Sequence, residues 1–232
     1  MKVELVRTFY AEAAHRNAEG GPAQQRLHGH SYRVDVVVRG EATSPYGWLM
    51  DYGELKQRFA PIYAAIDHRY LNDSLGLDAP TLPRVRAWIA ARAAEAIPLF
   101  AEVRVGIAGD LTFTPTPLAA EPEQGLPART RFTFEAAQSL PQLPEAHHCH
   151  NLHGHSYRME VGATDAERLA PALRALYEAV DHTCLNDIPG LMGTTCEHLC
   201  AWVWARLEED GVQPTVTVVQ ETQASRCVYR GG

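Results

Sequence analysis

LHGHSYRV at residues 27–34 recurs as LHGHSYRM at residues 152–159, an offset of 125. Downstream, DHRYLND from Asp67 recurs as DHTCLND from Asp181, and Trp88 recurs as Trp202, both at an offset of 114. Upstream, RTFYAEAAHR from Arg7 aligns with RTRFTFEAAQS from Arg129 and sets His15 opposite Gln138. Three collinear matches identify a tandem duplication. The second copy is eleven residues shorter between its two motifs, and the missing stretch falls around GWLMDY at residues 47–52, a connection before a helix.

Between the copies, TPTPLAAEPEQGLPAR carries Pro115, Pro117, Pro122 and Pro127 and little apolar periodicity, the composition of a linker. The chain therefore divides into a first copy at 1–113, a linker at 114–128 and a second copy at 129–232. In SYRVDVVVRG, Val34, Val36 and Val38 alternate onto one face of a strand. ELKQRFAPIYAAI and RVRAWIAARAAEAI space their apolar residues as amphipathic helices do, and VRVGIAGDLTF and TVTVVQETQASRCVYRG supply closing strands. Each copy reads strand, strand, helix, helix, strand, strand. That order predicts an α+β fold with the helices on one sheet face.

The totals narrow the function classes. No apolar run approaches twenty residues, and the opening MKVELVRTFY lacks the apolar core of a secretory leader, so the expected location is the cytoplasm, away from membranes. Cys149, Cys184, Cys196, Cys200 and Cys227 are odd in number and form no CxxC pair, which predicts reduced thiols. A net charge of -7 offers no basic stripe for a phosphate backbone, which argues against nucleic acid. A small polyanionic substrate would need a local cationic site instead.

His28 and His30 stand two apart at a strand start, so both imidazoles point to one side. His15, at the end of the neighbouring strand, completes a three-nitrogen face with a fourth position open, the arrangement of catalytic zinc. In the second copy His153 and His155 persist, but the third position is Gln138, and a neutral amide is a poor zinc ligand beside imidazole. The run His147, His148, Cys149, His150 offers spare donors there.

At these residues the chain resembles the family of 6-pyruvoyl- and 6-carboxy-tetrahydropterin synthases, nearly end to end and twice. FTFEAAQSLP, HHCHNLHGHSY, VDHTCLNDIPGL, TCEHLCAWVW, QET and RCVYRG make the second copy the closer match, to the bacterial carboxy-tetrahydropterin branch that feeds 7-deazapurine (queuosine-type) synthesis. The resemblance implies two tandem T-folds, each a four-stranded antiparallel sheet with two helices on one face, assembling into barrels as a homo-oligomer. It implies a zinc-dependent lyase acting on 7,8-dihydroneopterin triphosphate with loss of triphosphate. The alternative is a catalytically altered or inactive pterin-binding homologue.

Residue by residue, the resemblance assigns zinc to His15, His28 and His30, and the general base to Cys149, where the first copy has Gln24. It assigns proton transfer to the pairs Asp67–His68 and Asp181–His182. The pterin anchor falls on Glu221, followed by Thr222, with Thr195 and Glu197 as accessory pterin contacts; the first copy has Ile107, Thr81 and Pro83 at the matching places. Glu19 is the nearest carboxylate that could replace the missing base, or a solvated loop charge. Since the family's sites lie between subunits, the expected arrangement is mixed: His15, His28 and His30 facing Asp181, His182 and Glu221. Cys149 then belongs to the other site unless its loop reaches across.

Overall fold

In the computed structural model, which describes residues 1–42 and 47–232, the chain opens with a long hairpin. Strand β1 (Lys2–His15) pairs antiparallel with β2 (His28–Glu41) from Lys2↔Glu41 to His15↔His28, across a loop holding the single turn α1 (Pro22–Gln25). Val34, Val36 and Val38 are fully buried, as their alternation predicts. They meet Leu55, Phe59 and Ile62 of α2 (Tyr52–Ala64) and Val85, Ile89 and Ala93 of α4 (Leu82–Ala96), the one-sided stripes of two amphipathic helices. Asp51 starts α2 as an N-cap, its carboxylate accepting from the Glu54 amide. Between the helices lie β3 (Arg69–Tyr70), parallel to β1, and the short α3 (Leu71–Leu75). Strand β4 (Phe100–Ile107) closes the sheet in the order β3-β1-β2-β4.

The second copy repeats this plan with β6 (Arg129–Gln138), β7 (His153–Ala163), α5 (Ala166–Val180), β8 (Thr183–Cys184), α6 (Cys196–Glu209), β9 (Pro214–Gln220) and β10 (Arg226–Tyr229). Its core gathers Phe132, Phe134, Tyr157 and Met159 from the sheet with Leu173, Leu199, Val203 and Leu207 from the helices. The tandem α+β expectation holds, with one difference at the junction. The first copy has one closing strand rather than two. After β4 the chain crosses to the second copy, where β5 (Thr116–Leu118) adds an edge strand to β6 and gives the order β10-β9-β7-β6-β5. Arg129, buried and ion-paired to Glu121 and Glu160, pins this proline-rich stretch to its sheet. Both sheets are open within the chain, so any barrel requires further copies.

The two copies meet through the starts of their HGH strands. A Cβ on Gly29 would lie 2.4 Å from the Cα of Gly154, and one on Gly154 would lie 2.4 Å from the Cα of Gly29. Beside this contact the Ser31 amide donates to Ser156 Oγ and the Ser156 amide to Ser31 Oγ, both at 3.1 Å. The glycine between the paired histidines is thus set by backbone-to-backbone approach. Gly29→Ala is expected to cost ~1–3 kcal/mol in denaturant unfolding by overpacking this junction. Gly106→Ala, whose Cβ would meet nothing within 4 Å, is expected to leave the midpoint unchanged.

Candidate metal centre and candidate active site

The hairpin register places His15 directly across from His28, and the two-residue period puts His30 on the same side. The three rings converge, with centroids 4.4 Å (His15–His28), 5.0 Å (His15–His30) and 5.0 Å (His28–His30) apart. All three are buried, and one donor nitrogen from each lies within 4.8 Å of the others. His28 Nδ1 is committed to the Arg26 carbonyl at 2.8 Å and His30 Nδ1 to Glu135 at 2.6 Å, which leaves Nε2 of each ring for a ligand. Both ring nitrogens of His15 are buried without a hydrogen-bond partner among the described residues. Burial, reinforced by the neighbouring imidazoles, pushes His15 down to about 2 and His28 and His30 to about 3, so the cluster is neutral. Three neutral imidazoles with an open fourth side fit a zinc ion.

A consequence follows for stability. The unfolded chain takes up protons at these histidines below their ordinary value of 6.5 and the folded chain does not. Their contribution is complete above that pH and shrinks as pH falls toward 3. Thermal unfolding of metal-free protein between pH 7 and pH 5 is expected to show a falling midpoint.

The second copy brings the Asp181–His182 pair to this site. His182 lies over His28 with ring centroids 4.5 Å apart, and its Nδ1 is 2.7 Å from Asp181 Oδ2. His182 has φ 51°, and the equivalent His68 has φ 52°, a left-handed conformation that a side chain rarely adopts without a reason. Each is held there by a strand glutamate. The His182 amide donates to the Glu135 carbonyl at 2.6 Å while the Glu135 amide donates to Asp181 Oδ1 at 3.0 Å. Glu12 holds Asp67 and His68 in the same way, at 2.7 and 3.0 Å.

These glutamates were not singled out by the sequence reading. Their side chains cross the junction: Glu135 meets His30 and Ser156, while Glu12 meets Ser31 and, at 2.9 Å, Nδ1 of His155. A charged residue three before His15 and three before Gln138, in an alanine-rich strand, was the available signal. Burial, opposed by the hydrogen bond from Ser156, raises the Glu135 carboxyl to about 8.

The mirror site is built differently. His153 and His155 stand where His28 and His30 stand, Gln138 replaces His15, and His68 of the first copy lies over His153 with centroids 4.6 Å apart. Asp67 Oδ2 is 3.0 Å from His68 Nδ1, but off the line of a good hydrogen bond. Cys149 Sγ is 3.8 Å from His68 Nε2. Burial, then the negative charge of Glu221 and Asp67, raises the Cys149 thiol above an ordinary thiol. Cys149, Gln138, Thr195, Glu197, Glu221 and Arg226 line one cavity of about 460 Å³. Thr222 lies outside that lining, its carbonyl accepting from Gln220 Nε2 at 2.8 Å.

The structure therefore redistributes the expected site. Within the chain, His15, His28 and His30 face Asp181–His182, and Glu221 of the same chain lies in the other site. It follows β9, which pairs with β7 in its own sheet, and it lines one cavity with Gln138. The Cys149 loop does not reach across either. Glu19 is exposed and paired with Arg84 at 2.9 Å, a solvated loop charge. A cavity of about 710 Å³ beside the first site, lined by Arg16, Arg26, Arg206 and Trp202, supplies the local positive charge that the overall composition lacks.

The chain matches the profile of the family described as 6-pyruvoyl tetrahydropterin synthase at residues 4–107 and again at 128–232. It is 40% identical over 97 residues to the Synechocystis sp. protein named 6-carboxy-5,6,7,8-tetrahydropterin synthase, a match covering 40% of this chain and 75% of that one. It is 33% identical over 98 residues to the dihydroneopterin monophosphate aldolase of Pyrococcus furiosus, covering 42% and 81%. Among solved structures it is similar to the Caenorhabditis elegans 6-pyruvoyl tetrahydropterin synthase, at 21% identity and a TM-score of 0.41 over 46% of this chain and 89% of that one. Both halves of this chain thus belong to the 6-pyruvoyl tetrahydropterin synthase family, which the duplicated HGH and Asp-His motifs had indicated.

Proposed function

We propose that the protein is a cytoplasmic lyase of the 6-carboxy-tetrahydropterin synthase type, acting on 7,8-dihydroneopterin triphosphate with loss of triphosphate, and that the reaction runs in the Glu221 site. One observation carries this reading: Cys149 Sγ, 3.8 Å from His68 Nε2, opens on the same cavity as Glu221, Thr195 and Glu197. The Glu221 carboxylate can accept two parallel N–H bonds from the guanidine-like edge of a pterin. Thr195 and Glu197, at the start of α6, line the same cavity and bound the ring. The pterin side chain then extends toward Cys149 and His68. The thiolate accepts a side-chain proton and His68 Nε2 returns one, with the Asp67 carboxylate 3.0 Å from Nδ1 on the far side of the ring.

Zinc is assigned to His15, His28 and His30, a site separate from the Glu221 cavity, where it would offer a Lewis-acidic open position. Open sheet edges in both copies favour a homo-oligomer.

Glu221→Gln keeps the shape of the anchor and removes its charge. Losing a charge-assisted bond is expected to weaken pterin binding by ~2 kcal/mol, about thirtyfold, in isothermal titration. The whole reading is tested by incubating protein loaded with a single equivalent of zinc with 7,8-dihydroneopterin triphosphate and following released triphosphate and product mass. Gln138, in place of a metal histidine beside the acid–base groups, favours a second reading, a pterin-binding homologue without turnover. Pterin binding with no triphosphate release selects that second reading. Failure to bind any pterin defeats both.

A further inference from the structure

The mirror site brings the half-buried His68 and Cys149 together with the buried His153. His68, Cys149 and His153 each present one ligand atom, and these atoms lie within 4.8 Å of one another. We propose that these three side chains, one from the first copy and two from the second, form a second metal site for a borderline-soft divalent cation such as zinc, with the cysteine taking the place of the missing histidine.

Four observations support it. With Zn–N near 2.0–2.1 Å and Zn–S near 2.3 Å, the N···S edge of a tetrahedron is about 3.6 Å, and Cys149 Sγ lies 3.8 Å from His68 Nε2. The other ring nitrogens face outer groups: His153 Nδ1 is hydrogen-bonded to the Asn151 carbonyl at 2.8 Å, the kind of contact that orients a metal-binding imidazole, and the Asp67 carboxylate lies 3.0 Å from His68 Nδ1. Gln138, in the His15 position, directs its amide nitrogen at His153 Nε2, 3.4 Å away, and has a buried Oε1 with no partner among the described residues, so a flip of the amide would free His153 Nε2 and bring an oxygen donor to the fourth place. Glu221 and Asp67 both place negative charge at Cys149, which favours a cation, and the cavity in front of Glu221 gives it access.

Binding is balanced by loss of the Cys149 thiol proton to solvent, leaving a thiolate ligand. If the Glu221 site is the reaction site, a metal held there removes the thiolate and His68 Nε2 from proton transfer. Occupancy of this second site and turnover then exclude one another, which makes the site inhibitory.

Cobalt(II) separates the two sites, because only this one has a sulfur ligand. Titration of the metal-free full chain is expected to reach two equivalents, with a near-ultraviolet thiolate-to-cobalt band growing with one of them. Cys149→Ser should lose the band and one equivalent, His15→Ala should lose the other equivalent and keep the band, and Cys184→Ser should keep everything. Saturation at one equivalent without a band, or a band that survives Cys149→Ser, overturns the site. Turnover is read separately: a fall as the sulfur-bound equivalent fills supports exclusion, and turnover indifferent to it overturns exclusion. A cobalt–thiolate band in a protein with no turnover in any metal state upholds the site and defeats the catalytic reading.

Discussion

Cys149→Ala is expected to lower turnover of 7,8-dihydroneopterin triphosphate by roughly 10²- to 10⁴-fold, the range for removing a positioned acid–base group, with pterin affinity nearly unchanged. The separation follows from the layout of the cavity. Glu221, Thr195 and Glu197 line it independently of Cys149, whereas the thiol is the group next to His68 Nε2. Steady-state kinetics should therefore show a fall in kcat, and isothermal titration an intact Kd. The pH profile adds a signature that mere disturbance of packing would not reproduce. Burial and the charges of Glu221 and Asp67 hold the thiol above its ordinary value of 9.0, so the reactive thiolate becomes more abundant as pH rises. Wild-type turnover should climb into the alkaline range and the variant's should not. A variant within tenfold of wild type would move the proton chemistry to His68 alone.

Glu135→Gln should weaken zinc binding at the first triad by roughly 10- to 100-fold, the usual effect of losing the carboxylate behind a metal-bound imidazole. The Glu135 side chain reaches out of the second copy to His30 Nδ1 at 2.6 Å, and its neighbour Ser156 donates to the same oxygen at 2.6 Å. An amide retains the volume but can present nitrogen to His30, which leaves the ring's tautomer unset. The molecule contains its own control. Glu12 occupies the equivalent place but meets His155, so Glu12→Gln should leave zinc at the first triad unaffected. Competition against a chromogenic chelator reads both, and equal weakening by the two variants would reduce the effect to a general loosening of the junction.

Much of this protein was legible in order and spacing. A strand repeats every two residues, so HGH had to place two imidazoles on one side, and the β1–β2 register placed His15 beside them. Apolar residues at helical spacing specified α2 and α4 against Val34, Val36 and Val38. The missing eleven residues are divided between a β7 shorter than β2 and a shorter link from Ala163 to α5 than the stretch of sequence between Glu41 and α2. These properties are local: they depend on backbone periodicity and on neighbours a few residues apart.

Which residues share a site was decided elsewhere. Gly29 against Gly154, with the paired Ser31 and Ser156, sets how the copies cross, and no spacing within either motif contains that information. The crossing sends Asp181–His182 to the zinc-type triad and Asp67–His68 to Cys149 and Glu221, and it turns Glu12 and Glu135 from strand charges into contacts across the junction. It also keeps Glu221 with Cys149, since pairing of β9 to β7 within one sheet cannot be undone by a partner fold. By itself the sequence determined the two folds and the donors each one carries. Only the tertiary structure decided which donors meet, because that depends on backbone contact between segments 125 residues apart.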